Sequence, residues 1–582
     1  MDDVPSHKEA VELLSAQVLT RWPGAEIMEP EAAVRRFGES TALAVLVPAA
    51  LVEPPRDIWV VVDKRYPWSL PRLYLRDPPN SISFPHVEAS GHLCLHGSDV
   101  AFEVPVTFAH LSELIRFADE VLRDGRTGAN AEDYLVEAPS YWTTAGLLGN
   151  TILLAEGVAG SATMQSTRIG ENFLVASTDK QLQDWCRNLR CELEHREPAL
   201  HVELTAPLYP ARYPSTLADL FRMIDQSGAT DLLNHCLGSW GEKGAIPVVL
   251  SFFHAGRRVL LGTSIPRPGH LQMSGTRKVG LPGFPHGRGH AKAKRDSLSK
   301  YPGGLARLAV TPVSRSDLLI RTTGRVSGAV SDARVAIAGC GAIGAPLAQL
   351  LLQAGVGCLE LIDADKLDWR NIGRHALDAR FVGQNKAAAL ARASLMRFPG
   401  ASVNAHEVTW ERLLETDRRK LEGCDLVVSC TANAASNMHL DHLVAAGDLP
   451  SAIFAWVEPF AFAGHAVWRP SDGEGLTLVL STDGTMRSPV VDRQTAPAPE
   501  IEPACGARYQ PFSSLNAMHT VAMAGELTID ALEGRAPSSV MRSWIGSSIA
   551  LHRAGLSLTS EWAARVHKHG FDRRYDTLLV RA

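Results

Sequence analysis

Cysteine is scarce: nine residues in 582, with no Cys-x-x-Cys pair, which excludes a disulfide scaffold and a zinc ribbon. The nearest approach to a ligand cluster, Cys186 and Cys191 with His235 and Cys236, lacks metal-site spacing and reads as core. No charge sign dominates. Lys and Arg number 58 against 63 Asp and Glu, a formal charge of −5, so nothing draws the whole chain to nucleic acid or to an anionic membrane. Runs of about 18 apolar residues are missing, which leaves no membrane span to predict. The start, MDDVPSHKEAVELL, lacks the basic and apolar stretches of a signal peptide, and a cytoplasmic location is expected. What remains is ordinary for folded protein, 45% hydrophobic and 21% charged. At about 150 residues per domain it calls for three or four domains.

Ser6 followed by Glu9 predicts a capped helix over residues 6–21. Strand-like runs follow at 41–49, 57–63 and 72–77, a small meander, then a loop. A second helix is expected over 106–125, with Leu111, Leu114, Ile115 and Ala118 on one face and Gly125 as its stop. This makes one α+β domain over residues 1–145. Residues 146–275 mix strands and helix without a chemical motif and read as a linking α+β domain. Residues 276–314, crowded with Gly, Pro, Lys, Arg and His, read as a flexible basic linker.

A third domain is expected over residues 315–582, where from residue 334 strands alternate with helices, the pattern of a parallel, Rossmann-like sheet with its ligand site at the carboxyl ends of the strands. VAIAGCGAIG sets Gly339, Gly341 and Gly344 in GxGxxG spacing between a strand and a helix, a loop suited to phosphate. Asp363 stands nineteen residues after Gly344, where an acid accepts ribose hydroxyls. NAD and ATP both fit so far. Asn371, Arg374 and Lys386 favour ATP, because a triphosphate and a leaving pyrophosphate need cations.

The series GxGxxG, L-I-D-x-D, N-x-x-R and G-Q-x-K resembles the adenylating domain of ubiquitin-activating (E1, ThiF-like) enzymes and of their bacterial relatives that activate sulfur carriers, over roughly residues 315–535. The resemblance implies that Gly339, Gly341, Gly344 and Asp363 hold ATP and that Asn371, Arg374 and Lys386 contact its phosphates. It implies Mg2+ as well. Where relatives carry Thr-Asp-Asn with the Asp near magnesium, this chain has Thr431, Ala432 and Asn433, so the metal ligand stays open between Asp365 and a water shell. Among Arg315, Arg321 and Arg325, Arg321 is the candidate to reach a neighbouring subunit's ATP, since relatives pair as homodimers.

Cys505, in an acidic, Pro-rich stretch before a helix, matches the crossover cysteine that takes the acyl group from the adenylate in that family. An exposed thiolate on a loop is the physical requirement. Cys340, Cys358, Cys424 and Cys430 lie in or beside apolar strands and read as packing.

A second resemblance covers residues 1–145. Tyr66-Pro67-Trp68, Pro71, Phe84-Pro85-His86-Val87 and Ser90-Gly91-His92-Leu93-Cys94-Leu95 are similar to the active-site stretch of ubiquitin-conjugating (E2) enzymes, which gives Cys94 the thioester role. Most relatives have His-Pro-Asn where Phe84, Pro85 and His86 stand, so His86 is either a substitute oxyanion donor or a structural loop residue.

The expected architecture is α/β: a conjugating-like α+β domain, a linking α+β domain and a Rossmann-like adenylation domain. The two resemblances together imply an ATP-dependent bacterial fusion that adenylates a partner's C-terminal carboxylate. It would load Cys505, transfer to Cys94 and conjugate to a lysine. Such fusions occur in anti-phage CBASS operons, where they join the C-terminus of a nucleotide-second-messenger synthase to a target amine, and the donor here is that or a ubiquitin-like protein. Two alternatives stay open: a sulfur-carrier adenylyltransferase with a docking domain, and a non-enzymatic adaptor with relic sites.

Overall fold

The computed structural model describes residues 5–580 except 53–54, 79–83, 89, 96–101, 145–146, 149–150, 156, 158, 194, 242, 268–287, 324–326, 502–507 and 537. The chain divides into two compact units, residues 1–182 with 193–311, and residues 183–192 with 312–582. Each has its own cores.

The first unit opens with helix α1 (His7–Arg21). Its start is fixed by the expected capping box: the Glu9 amide donates to the Ser6 hydroxyl, and the Ser6 amide donates to the Glu9 carboxylate at 2.9 Å. Ala10, Leu14 and Val18, four apart, turn inward. The meander is β1 (Glu26–Ile27), β2 (Thr41–Val52), β3 (Pro55–Asp63) and β4 (Arg72–Leu75), antiparallel and in that order. Helix α2 (Phe108–Thr127) packs Leu111, Leu114, Ile115 and Ala118 onto Val45, Val47, Ile58 and Val60 of the sheet.

Helix α2 does not stop at Gly125. It runs to Thr127 and ends at Gly128, whose φ of +77° is the left-handed cap. Gly125 serves packing instead: a Cβ there would lie 2.6 Å from Phe84 Cδ1, so its absence lets the Phe84 ring lie against the helix. A glycine read only as punctuation was a contact site.

The rest of this unit centres on a nine-stranded sheet with Glu197–Glu203, Ile246–His254 and Arg257–Ile265 near its middle. Helices Leu217–Gln226 and Thr230–Ser239 cover it through Leu220, Phe221, Leu233 and Cys236. Trp142 fastens the end of the first α+β domain here: its indole N–H donates to Gly262 O at 2.7 Å, and it lies against Arg307 and Tyr213.

The linker expected over 276–314 is corrected in its second half. Residues 276–287 lie outside the described residues, but Arg288–Leu298 is a helix and Ala306–Leu308 a sheet strand. Ala291, Leu298 and Leu305 are buried in the same core, and Leu308 pairs with Gly262. A few apolar residues at the right spacing outweighed the basic composition, so the linking domain extends well past residue 275.

The second unit contains the predicted parallel sheet: β5 (Arg334–Ala338), β6 (Cys358–Ile362), β7 (Ser402–His406), β8 (Leu426–Ser429) and β9 (Ala452–Val457), in the order β7-β6-β5-β8-β9. Three antiparallel strands that the sequence pattern did not reveal extend it: β10 (Ala463–Arg469), β11 (Val540–Ile545) and β12 (Arg573–Leu578). Helices α3 (Gly344–Gln353), α4 (Lys386–Arg397), α5 (Ala434–Ala445) and α6 (Ser514–Leu532) are among those that flank it. Leu359 and Leu361 pack on one face with Leu347 and Leu390, while Ile362 and Val427 pack on the other with Leu440. Strand order reverses between β5 and β8, which opens a crevice at their carboxyl ends. Among the described residues no helix is long and apolar enough to cross a membrane.

Candidate active site

The glycine loop leaves β5 into that crevice. Gly339 has φ +89°, and a Cβ there would stand 3.0 Å from the carbonyl of Cys430, which follows β8. Gly344, first residue of α3, faces Gly339 O so closely that its Cβ would overlap that oxygen. Gly341 differs: a Cβ would meet nothing within 4 Å, and its φ is not left-handed. Two glycines therefore close the loop and the third lines open space.

Asp363, just past β6, holds the loop. One carboxylate oxygen accepts the Cys340 N–H at 2.7 Å and the other the Asp365 N–H at 2.8 Å. Each oxygen keeps capacity for a hydroxyl donor. Lys386, the first residue of α4, reaches Asp365 Oδ2 at 2.9 Å with its side chain 13% exposed. Asn385 caps α4 by accepting the Ala388 N–H and donates to Asp363 O at 2.7 Å. Asn371 and Arg374 come from one 3-10 turn, Trp369–Arg374. The Asn371 side chain accepts the Asp368 N–H, and Arg374 donates to Arg370 O while its guanidinium stands 5.6 Å from the Phe512 ring. Arg374 is exposed.

These residues fit a nucleotide triphosphate with magnesium. Lys386 and Arg374 supply cations, and the loop presents amides beside an open Gly341. The Asp365 side chain is 73% exposed, and only one of its oxygens is engaged by Lys386. That leaves a carboxylate oxygen for a metal held mainly by phosphates and water. Ala432, with φ +54°, contributes no carboxylate.

Sequence reasoning missed two residues. Asn385 stood inside G-Q-x-K as the variable position, although an Asn directly before a helix signals a cap. His375 follows Arg374 and had no motif. Its Nε2 stands 2.7 Å from Cys340 O and its Nδ1 accepts the Leu377 N–H at 3.1 Å. Burial, aided by Lys386 and Arg374, holds its pKa below the usual histidine value. Arg321 sits in the helix Arg315–Thr323, whereas Arg315 donates to the carbonyls of Val356 and Gly357.

Cys94 is exposed at the mouth of a cavity of about 400 Å³ lined by His86, Glu88, Glu137, Ser140 and Tyr141 among others. Its amide donates to His86 O at 2.9 Å. Gly91, φ +84°, makes the turn before it, where a Cβ would strike Leu75 O at 2.6 Å. Burial and the charges of Glu137 and Glu88 push the Cys94 thiol above its ordinary value. His86 is left-handed (φ +62°), its amide donating to the Tyr141 hydroxyl at 2.7 Å. Its Nε2 pairs with Asp133 at 3.0 Å, and its Nδ1 stands 3.9 Å from Glu137. The ring thus faces two carboxylates, an arrangement suited to fixing the loop.

Cys505 lies outside the described residues. Cys340, Cys358 and Cys424 are buried as expected of packing residues, with Cys424 and Cys430 pushed up to about 12 by burial. Among the described residues no cluster of His, Cys, Asp and Glu could hold a metal by itself.

Comparison with known proteins finds matches to both parts of the chain. Residues 319–541 match the ThiF family, and residues 46–146 match Prokaryotic E2 family B. The chain is similar to the ATP-dependent ubiquitin transferase-like protein Cap2 of Vibrio cholerae, 30% identical over 40% of this chain and 41% of the relative. It is also similar to Cap2 of Enterobacter hormaechei, 29% identical over 31% of this chain and 29% of the relative. The matched segments thus span less than half of either relative. The mouse adenylyltransferase and sulfurtransferase MOCS3 is 34% identical over 22% of this chain and 28% of its own length. The glycine-loop crevice lies within the first matched segment and the Cys94 cavity within the second: this chain joins, in one polypeptide, a segment that matches Prokaryotic E2 family B and a segment that matches the ThiF family.

Proposed function

We propose that this chain is an ATP-dependent ligase of the ubiquitin-like kind, which adenylates a protein's C-terminal carboxylate and conjugates it to a lysine. The observation that carries the reading is the pairing, in one chain, of a glycine-loop crevice bearing Lys386 and Arg374 with an exposed Cys94 at an acidic cavity. A carboxylate oxygen of the donor attacks the α-phosphorus of ATP, and pyrophosphate leaves. Lys386, Arg374, Asn371 and the amides beside Gly341 hold the phosphates against their growing charge. Magnesium, bound near Asp365, would neutralise phosphate charge.

The Cys505 thiolate then attacks the acyl carbonyl and displaces AMP. Cys94 takes the acyl group by thioester exchange, and a lysine amine attacks it to give an isopeptide and a free thiol. At Cys94, Glu137 and Glu88 attract a lysine ammonium, and either carboxylate is placed to take its proton. His86 acts as a positioning residue for the loop. The resemblance to bacterial activating and conjugating fusions supports a role in bacterial defence, with a nucleotide-second-messenger synthase or a ubiquitin-like protein as donor, and a homodimer through the adenylation domain is the proposed assembly. Exchange of labelled pyrophosphate into ATP, dependent on a donor with a free C-terminus, tests the first step. Its absence with every such donor defeats the ligase reading and leaves the adaptor.

A further inference from the structure

The two hydrogen bonds of His375 define its state. Leu377 N–H donates to Nδ1, so Nδ1 is unprotonated and the ring proton sits on Nε2, which donates to Cys340 O at 2.7 Å. The same loop residue is held from the other side, because the Cys340 N–H donates to Asp363 at 2.7 Å. Both polar groups of one glycine-loop residue are therefore fixed by side chains from two different segments.

The consequence falls on the next residue. The Cys340–Gly341 peptide is trans, so its C=O and N–H point in opposite directions within one rigid plane. With the carbonyl committed to His375, the Gly341 N–H is turned away from the histidine. It finds no protein acceptor among the described residues, and the space beside Gly341 is open. An amide with no partner, aimed by a locked peptide plane, is a preorganised donor for an anion.

We propose that His375, as its neutral Nε2–H tautomer, is the positioning residue that aims the Gly341 amide at a nucleotide phosphate. This rests on the adenylation reading of the crevice and adds a residue that no glycine-loop motif contains. It also couples the segment carrying Asn371 and Arg374 to the loop, since His375 directly follows Arg374. Charged groups around the ring are Asp363, Lys386 and Arg374. None of them bonds to the ring nitrogens.

The test compares His375→Phe, which keeps a ring but removes donor and acceptor, with His375→Gln, which keeps one of each. The probes are equilibrium binding of ATP and the KM for ATP in pyrophosphate exchange, with thermal melting as the folding control. His375→Phe is expected to weaken ATP binding about tenfold or more, on the scale set by a misplaced contact, with KM rising more than kcat falls. His375→Gln is expected to recover binding to within about threefold of wild type. If the Phe variant does not fold, His375→Met is read in its place. ATP binding equal to wild type in the folded Phe or Met variant overturns the proposal, as does a folded His375→Gln that binds no better than they do. A wild-type chain that binds no ATP defeats the site reading itself, and is thereby told apart from failure of the histidine's role.

Discussion

Alanine at Gly344 and at Gly341 should fail in opposite ways. At Gly344 the new Cβ would fall 1.9 Å from Gly339 O, more than an ångström inside contact distance, and the obstacle is backbone. The helix start or the loop must move, and overpacking of this kind costs about 1–3 kcal/mol. At about 2–4 °C per kcal/mol for a domain of this size, melting should fall by roughly 2–12 °C, with ATP binding lost as the loop shifts. At Gly341 nothing lies within 4 Å of the Cβ and φ is ordinary. The fold should accept Ala there, with about 0.5–1 kcal/mol of entropic gain possible. The methyl group instead occupies the space where backbone must approach phosphate, and ATP affinity should drop at least about tenfold, or 1.4 kcal/mol. Scanning fluorimetry and equilibrium ATP binding on both variants separate the two effects. Gly341→Ala binding ATP like wild type, or Gly344→Ala melting like wild type, would refute the division of labour among the glycines.

Three further outcomes are expected. Lys386→Ala and Arg374→Ala should each lower pyrophosphate exchange by about a hundredfold, the scale of a lost charge-stabilising contact; wild-type exchange in both would remove them from the phosphate site. Because burial, Glu137 and Glu88 raise the Cys94 thiol, its alkylation rate should keep rising with pH past the ordinary cysteine range. Glu137→Gln should move that curve to lower pH, and an unmoved curve would contradict the assigned cause. Tyr141→Phe removes the acceptor of the His86 amide, which should cost about 1–3 kcal/mol and appear as lower melting; an unchanged melting temperature would mean that the amide finds another acceptor.

Much of the site was legible because glycine and cap residues have few physical substitutes. The capping box of Ser6 and Glu9, the three loop glycines and the strand-helix alternation after residue 334 all announced themselves. What was missed depends on long-range contact. Gly125 looked like a helix stop, because nothing local says that Phe84 must lie against it. The helix Arg288–Leu298 was hidden by its basic residues, since Ala291 and Leu298 reveal a buried side only beside a core contributed from elsewhere. His375 carried no motif, because its Cys340 partner is a backbone group of a distant segment, and Asn385 showed only its local cap and not its bond to Asp363 O. Strands β10 to β12 come late and out of the alternating pattern, paired through a sheet edge that sequence does not display.

The central claim is that acyl transfer runs from the adenylate through Cys505 to Cys94. Wild type, Cys505→Ala and Cys94→Ala chains, incubated with ATP and a donor bearing a free C-terminus and run without reductant, test it most directly. The account predicts thioester on both thiols in wild type, on Cys505 alone in Cys94→Ala, and on neither in Cys505→Ala. A reductant-sensitive adduct on Cys94 of the Cys505→Ala chain would contradict it.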